Sequence, residues 1–463
     1  MSGLRARPAL PSAAQLAASV AGRLIGPDDP DYDQARTVFL GGIDRKPALI
    51  VRAAHAQDVQ RVVGLARETG FELAVRSGGH SSAGHSTTEG GLVLDLRDLK
   101  GLEIDAEGRT AWAGTGLTAA ELTNAVGAHG LAVGFGDTGS VGIGGITLGG
   151  GVGYLVRKDG LTIDSLLAAE VVTADGELRY VDADHHADLF WAMRGGGGNF
   201  GVATRFRYRL RELRQAYGGM LMLPATAEVI AGFMAASEAA PEELSTIANV
   251  MPAPPMPFVP EEQHGRIVVF ALVCYAGPAD AGERTVAPLR ALATPIVDMV
   301  RPIAYPEIYP PDDPDYRPKA VALTMFVDRV DRAVAENILD HLGASDASMR
   351  VAQLRPLGGA VARVPADATA FAHRASRIMV NVAAFYEGPE DRIRREAWVN
   401  EFAAALRQSD GGAYVNFLGE EGEARVRAAY PGETWDRLAA IKARYDPNNL
   451  FRLNQNIPPA RKA

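Results

Sequence analysis

Between Gly134 and Gly153, ten of twenty residues are glycine: Gly134, Gly136, Gly139, Gly142, Gly144, Gly145, Gly149, Gly150, Gly151 and Gly153. Glycine gives up more backbone freedom on folding than any other residue, so this run needs a partner that approaches its backbone closely. The expectation is a large flat ligand. A shorter break, Arg76-Ser77-Gly78-Gly79-His80-Ser81, follows the strand-like Leu73-Ala74-Val75. Adjacent glycines let consecutive N–H groups turn inward as an anion-binding nest, and Arg76 adds charge beside it, which suits a pyrophosphate. No Gly-Lys-Ser/Thr follows the long run, and this excludes a phosphate-binding P-loop.

The stretches around these motifs read as short alternating elements. Residues 47–52 form a strand, 55–69 an amphipathic helix with Val59, Val62, Val63, Leu65 and Ala66 apolar, and 72–76 a second strand ending on the nest. Short strands follow at 92–96, 102–104 and 110–113. Gly114-Thr115-Gly116-Leu117-Thr118-Ala119 then matches a dinucleotide-binding pattern, with Asp137 where a ribose-binding acid would lie. The strands before it are too short and tightly turned for a β-α-β unit, so a Rossmann domain and an NAD-linked dehydrogenase stand as the alternative. Strands at 168–173 and 178–181, a helix near 189–193 and a strand over 202–210 complete the first part. Helical spacing over 11–24 predicts an N-terminal helix.

From about 211 the texture changes to helices near 226–239 and 279–293, strands near 266–275, 320–326 and 377–386, and proline-rich loops at 252–260 and 302–314. With 463 residues, 47% hydrophobic, the chain is long enough for two cores. A net charge of -9 without basic blocks argues against a nucleic-acid partner. No apolar run reaches spanning length, and Pro8 and Pro11 break the N-terminal stretch, so a soluble, cytoplasmic protein without membrane partner is expected. The single Cys274 excludes an intramolecular disulfide and a multi-thiolate metal site, and no metal site is expected.

Taken together, the Arg76 to His80 motif, Val141-Gly142-Ile143-Gly144-Gly145 running on to Gly149-Gly150-Gly151-Val152-Gly153, and Asp188-Leu189-Phe190-Trp191-Ala192-Met193-Arg194-Gly195-Gly196-Gly197-Gly198-Asn199-Phe200-Gly201 resemble the berberine-bridge-enzyme-like FAD-linked oxidases of the vanillyl-alcohol-oxidase superfamily. The tail Tyr445-Asp446-Pro447-Asn448-Asn449-Leu450-Phe451 with Asn454-Gln455-Asn456-Ile457-Pro458 is similar to that family's carboxyl-terminal signature. The resemblance runs from about 45 to 459 and thins across 215–370.

It implies an α+β, two-domain PCMH-type FAD-binding fold. Residues 1–44 would be an N-terminal helix and lead-in, 45–212 the first part of the FAD domain, 213–412 a substrate domain built on an antiparallel sheet, and 413–463 a return to the FAD domain. The implied cofactor site comprises Arg76, Ser77, Gly78, Gly79, His80, Ser81, His85, Thr138, Gly139, Val141, Gly142, Gly144, Gly145, Gly149, Gly151, Val202 and Asn454. In this family the His of the Gly-Gly-His motif, here His80, bonds covalently to the flavin 8α-methyl carbon. Many relatives add a cysteine bond at the position of Thr138, so a single link is expected. A small branched residue at the position of Val141 goes with oxidase behaviour in relatives.

Four positions that are polar in relatives read Met379, Phe417, Val152 and Ile146. Asn381, two residues from Met379 on one strand face, and Tyr414 with Asn416 on another are the polar groups left, Tyr414 as the base and Asn381 to orient a substrate oxygen. The implied reaction is hydride abstraction from an alcohol or C–H bond of a small, largely apolar, ring-bearing metabolite, with electrons passed to O2 to give H2O2. A carbohydrate oxidase, a flavin dehydrogenase and a non-catalytic flavoprotein binding a hydrophobic ligand are the alternatives.

Overall fold

Leu49–Arg52 and Leu73–Arg76 each pair in parallel with Leu92–Asp95, which lies between them. The helix Ala56–Thr69 links the first two, burying Val59, Val62, Val63, Leu65 and Ala66. It ends at Gly70, whose φ of 70° lets its N–H reach back to the Ala66 carbonyl. In this computed structural model, which describes residues 19–461 except 312 and 314, Arg23–Ile25 adds an antiparallel edge strand to Leu49–Arg52. The helix expected over 11–24 is corrected at its end, because residues 23–25 find backbone partners at 50–52 and bury Ile25; residues 11–18 lie outside the described residues.

A second sheet is antiparallel, in the order Leu102–Asp105, Thr110–Gly114, Val202–Arg209, Leu166–Val172, Leu178–Asp182. Gly114-Thr115-Gly116 therefore leaves an antiparallel strand, and Thr118 caps the helix Ala119–Gly127 through a capping box with Glu121. This is not a β-α-β dinucleotide turn. The core on this side joins Phe135, Phe206 and Tyr208 to Phe190 and Trp191 of the helix Ala187–Met193 and to Trp435 and Leu438 of the helix Glu433–Tyr445. Residues from both ends of the chain thus share one core.

The C-terminal tail is tied to the 195–201 glycine motif by buried polar groups. Lys442 Nζ donates to Asp446 Oδ2 (2.6 Å) and to the carbonyls of Asn199 (2.6 Å) and Phe451 (2.9 Å). Asn199 Nδ2 donates to the Gln455 carbonyl (3.0 Å), and the Ile457 N–H donates back to Asn199 Oδ1 (2.9 Å). A lysine with no exposure is tolerated because every direction its ammonium points meets an acceptor.

The middle of the chain builds a large antiparallel sheet in the order Val297–Asp298, Gln215–Pro224, Ile267–Tyr275, Leu244–Pro252, Arg350–Pro356, Ile378–Phe385, Ala320–Val327. Its strands obey the period of two. Ala352, Leu354, Val380 and Val382 point into a core with Phe233, Ile338 and Phe402 from the helices Ala227–Ala239, Arg332–Ala344 and Pro389–Leu406. Gln353, Arg355 and Asn381 point the other way, toward the glycine-rich half. The architecture is α+β with an antiparallel sheet facing the glycine motifs. Among the described residues, no helix is long and apolar enough to cross a membrane.

Candidate active site

The two glycine motifs are partners first of each other. A Cβ on Gly78 would overlap the Gly142 nitrogen, and one on Gly142 would overlap the Gly78 nitrogen, so these segments cross backbone to backbone. Ser77 Oγ fastens the crossing, donating to the Thr115 carbonyl (2.6 Å) and accepting from the Gly144 N–H (3.2 Å). A Cβ on Gly149 would strike the Asn416 side chain and one on Gly151, at φ 84°, Thr162. The Gly139 carbonyl accepts from the Ala120 N–H (2.9 Å). Part of the glycine density therefore answers to the chain itself. Gly145 differs, since a Cβ there would meet no protein atom within 4 Å.

A cavity of about 490 Å³ opens beside this crossing. Its floor is lined by Ser77, Gly78, Gly79, His80, Ser81, His85, Thr138, Val141, Gly142, Gly144 and Gly145, with Val202 and Asn454 farther along the wall. Gly139, Gly149 and Gly151 stand behind that wall, as does Arg76. The expected role of Arg76 as a charge beside a pyrophosphate is corrected. Its guanidinium is 1% exposed and donates to Asp95 Oδ2 (3.1 Å) and the Ala35 carbonyl (2.6 Å), a buried tie that holds the strand end. Burial alone would raise the Asp95 carboxyl, but Arg76 and Arg97 outweigh it and keep it below the ordinary carboxylate range.

His80 stacks face to face on Phe39, ring centroids 4.1 Å apart and planes 18° from parallel. Burial, helped by the nearby Arg317 charge and opposed by a hydrogen bond to the Ser140 backbone, pushes its imidazole down to about 4. Burial likewise brings His85 down to about 4. Both are neutral near pH 7.

Across the cavity stand Ala322, Gln353, Arg355 and Asn381 of the large sheet and Tyr414, Asn416 and Phe417 of the C-terminal segment. Tyr414 and Asn416 do not share a strand face as expected. Residues 415–417 form a 3-10 turn in which Asn416 Nδ2 reaches back to donate to the Tyr414 hydroxyl (2.9 Å). The Gly151 N–H donates to the same oxygen (2.8 Å). Burial raises the Tyr414 pKa above its ordinary value, with these donors pulling the other way. The phenol thus stays neutral, its oxygen filled and its proton left to donate, which does not suit the expected base. Met379 is buried in a cluster with Phe326, Val152 and Tyr414, on the same strand face as Asn381. The Asn381 Oδ1 is buried without a partner, as is the Asn454 Oδ1.

Gln353, Arg355 and Asp137 were not anticipated as a group. Gln353 Nε2 donates to Asn249 Oδ1 (2.8 Å), while its Oε1 accepts from Arg355 Nε (2.9 Å) and Nη2 (2.7 Å). Arg355 Nη2 continues to Asp137 Oδ2 (2.5 Å), and Nη1 donates to the Val152 carbonyl (3.2 Å). Asp137, placed in the sequence as a ribose-binding acid, is instead the carboxylate that pins this guanidinium between sheet and floor. The readable signal was the alternation of Val351, Gln353 and Arg355 against Ala352 and Leu354.

These walls suit FAD. Bare backbone at Gly78, Gly79 and Gly145 admits a flat, phosphate-bearing molecule, and the unpaired Asn454 and Asn381 acceptors lack only a donor. A family model described as FAD binding domain matches residues 47–182, and one described as berberine and berberine like matches residues 413–458. The chain is 32% identical over 457 residues to (R)-6-hydroxynicotine oxidase of Paenarthrobacter nicotinovorans, covering 95% of this chain and 97% of that one. The crystal structure of 6-hydroxy-D-nicotine oxidase from Arthrobacter nicotinovorans superposes with a TM-score of 0.84 at 30% identity, covering 96% and 99% of the two chains. Xylooligosaccharide oxidase from Myceliophthora thermophila shares the fold with a TM-score of 0.83 at 24% identity, covering 96% and 99%.

Proposed function

The chain belongs to the berberine-bridge-enzyme-like family of FAD-linked oxidoreductases, and from that premise we propose that it oxidises a small, ring-bearing metabolite with FAD held by one covalent bond to His80. Residues 45–212 and 413–463 would carry the cofactor and 213–412 the substrate-facing sheet. FAD, when bound, supplies a hydride acceptor that passes its electrons to O2, giving H2O2.

One observation carries the substrate reading: the polar groups on the roof are already spent. Gln353 and Arg355 bond to each other, to Asn249 and to Asp137, so they offer a ligand little. What remains is the Asn381 amide and the Tyr414 proton, set among Ile146, Val152, Ala322 and Phe417. A saccharide brings many hydroxyls, and each left unpaired in a buried pocket costs about 1–3 kcal/mol. A ring with one or two polar substituents fits such walls. The relative named for 6-hydroxynicotine agrees in class.

In this reading Asn381 accepts a hydrogen bond from the substrate and Tyr414 donates one, together orienting it. The Arg355 guanidinium, 5.2 Å from the Phe417 ring centroid, keeps that ring in place as an apolar wall. The test is peroxide release from aryl, terpenoid and polyketide alcohols and ring-bearing amines against mono- and oligosaccharides. Faster turnover of saccharides overturns the substrate class. Unchanged KM and kcat in Tyr414→Phe and Asn381→Ala overturn their roles.

A further inference from the structure

His80 has an unusual support. An imidazole held for one task is ordinarily oriented by hydrogen bonds on its ring nitrogens, commonly from a carboxylate. Here, among the described residues, its polar partner is the Ser140 backbone, with no carboxylate bonded to it. One hydrogen bond leaves the ring free to swing about it. The plane is fixed instead by Phe39, stacked at 4.1 Å. Phe39 is itself pinned on two further sides. Its N–H donates to the Gly79 carbonyl (3.1 Å), which ties it to the glycine nest, and the Tyr316 ring backs it edge-on at 6.1 Å. The Tyr316 to Pro318 segment is held there by the Gly41 N–H bond to the Pro318 carbonyl (3.0 Å).

We propose that Phe39 is the positioning residue for FAD attachment at His80, an inference that rests on the single-link reading above. With one nitrogen on Ser140 and its face on Phe39, the ring presents its other nitrogen in one direction at the cavity wall. In attachment a bond forms between that nitrogen and the 8α carbon. One C–H bond of the methyl group and the remaining imidazole N–H break, and both protons and the electron pair pass to the flavin, which is thereby reduced. Dioxygen then takes the pair as H2O2. Phe39 takes no part in these bonds; it narrows the orientations from which they form.

The experiment uses full-length protein purified as expressed, incubated in air with excess FAD and sampled over time. Total bound flavin is read by absorbance after desalting, and the covalent share by colour retained after acid precipitation. Phe39→Ala is expected to bind FAD but to attach it about tenfold or more slowly than wild type, and Phe39→Tyr to restore the rate. Equal attachment rates in Phe39→Ala and wild type overturn the role of Phe39 and leave the single-link reading standing. Wild-type protein that releases all its flavin in acid overturns the single-link reading, and this inference with it. If Phe39→Ala does not fold or retain FAD, Phe39→Leu, which fills similar space without an aromatic face, is read by the same criterion.

Discussion

Replacing Gly78 by alanine should damage both stability and cofactor binding, and the crossing of the two glycine motifs says by how much. The added Cβ would sit 2.9 Å from the Gly142 Cα and 3.2 Å from the Ser140 carbonyl oxygen, besides overlapping the Gly142 nitrogen. Carbon pairs rest at about 3.5–4.0 Å, so the segments must part by roughly 0.6 Å or more. Every neighbour is backbone, and no rotamer change can make room. Overpacking of this kind costs about 1–3 kcal/mol, and with nothing able to yield the upper end applies. For a large chain about 3 kcal/mol lowers the melting midpoint by about 6 °C or more. The shift also moves His80 and Val141 relative to each other, so flavin content should fall with it. Differential scanning fluorimetry and the flavin-to-protein absorbance ratio after desalting report the two effects. Gly64→Ala is the control: it lies mid-helix with open space around its Cβ and should be neutral or stabilising by up to about 1 kcal/mol. A Gly78→Ala protein with wild-type midpoint and full flavin would refute the crossing as the reason for these glycines.

Asp95→Asn should cost about 3–5 kcal/mol, because it strands the buried Arg76 guanidinium, and should be seen as a lowered denaturation midpoint. Since the folded Asp95 carboxyl sits below its unfolded value, its stabilisation is complete above about pH 4 and is lost as pH falls through the folded pKa; the variant should lack that acid limb. His85 acts in a higher window. With its folded pKa near 4 against 6.5, the unfolded chain binds the extra proton as pH drops from 6.5 toward 4, removing up to about 3 kcal/mol; His85→Asn should flatten thermal midpoints measured across that range. Val141→Leu adds a methylene at the cavity wall and should slow reoxidation of substrate-reduced enzyme about fivefold in stopped-flow measurements, an added barrier of about 1 kcal/mol. Wild-type protein that reoxidises slowly in air but rapidly with a quinone would identify a dehydrogenase.

How far the sequence could be read depended on how local each signal was. The glycine motifs were legible because bare backbone is expensive wherever it occurs, and Gly78, His80 and Gly142 do line one cavity. Their reason was half hidden, since nothing in the string shows that Gly142 faces Gly78. Arg76 was misread for the same cause: its partner Asp95 lies on the neighbouring parallel strand, a pairing invisible until the sheet is assembled. The strand Arg350–Pro356 carries a plain alternation but few aromatic or β-branched residues, and Pro356 at its end made it look like a loop. With it went Gln353 and Arg355, and so the fact that the roof is polar in composition yet already bonded to itself. Tyr414 and Asn416 have the spacing of a strand face, and a single 3-10 turn served them instead.

The tie between Lys442, Asn199 and Gln455 sets a timetable for biosynthesis. Phe451, Leu453, Asn454 and Gln455 form part of the cavity wall, while the nest at Gly78 and Gly79 is made from the opposite end of the chain. At about 5–20 residues per second, the nest leaves the ribosome tens of seconds before the residues that close the wall around it. Cofactor capture is thereby deferred until synthesis of this wall is finished, and a nascent chain stalled before Phe451 has a place for phosphates but no chamber to keep them.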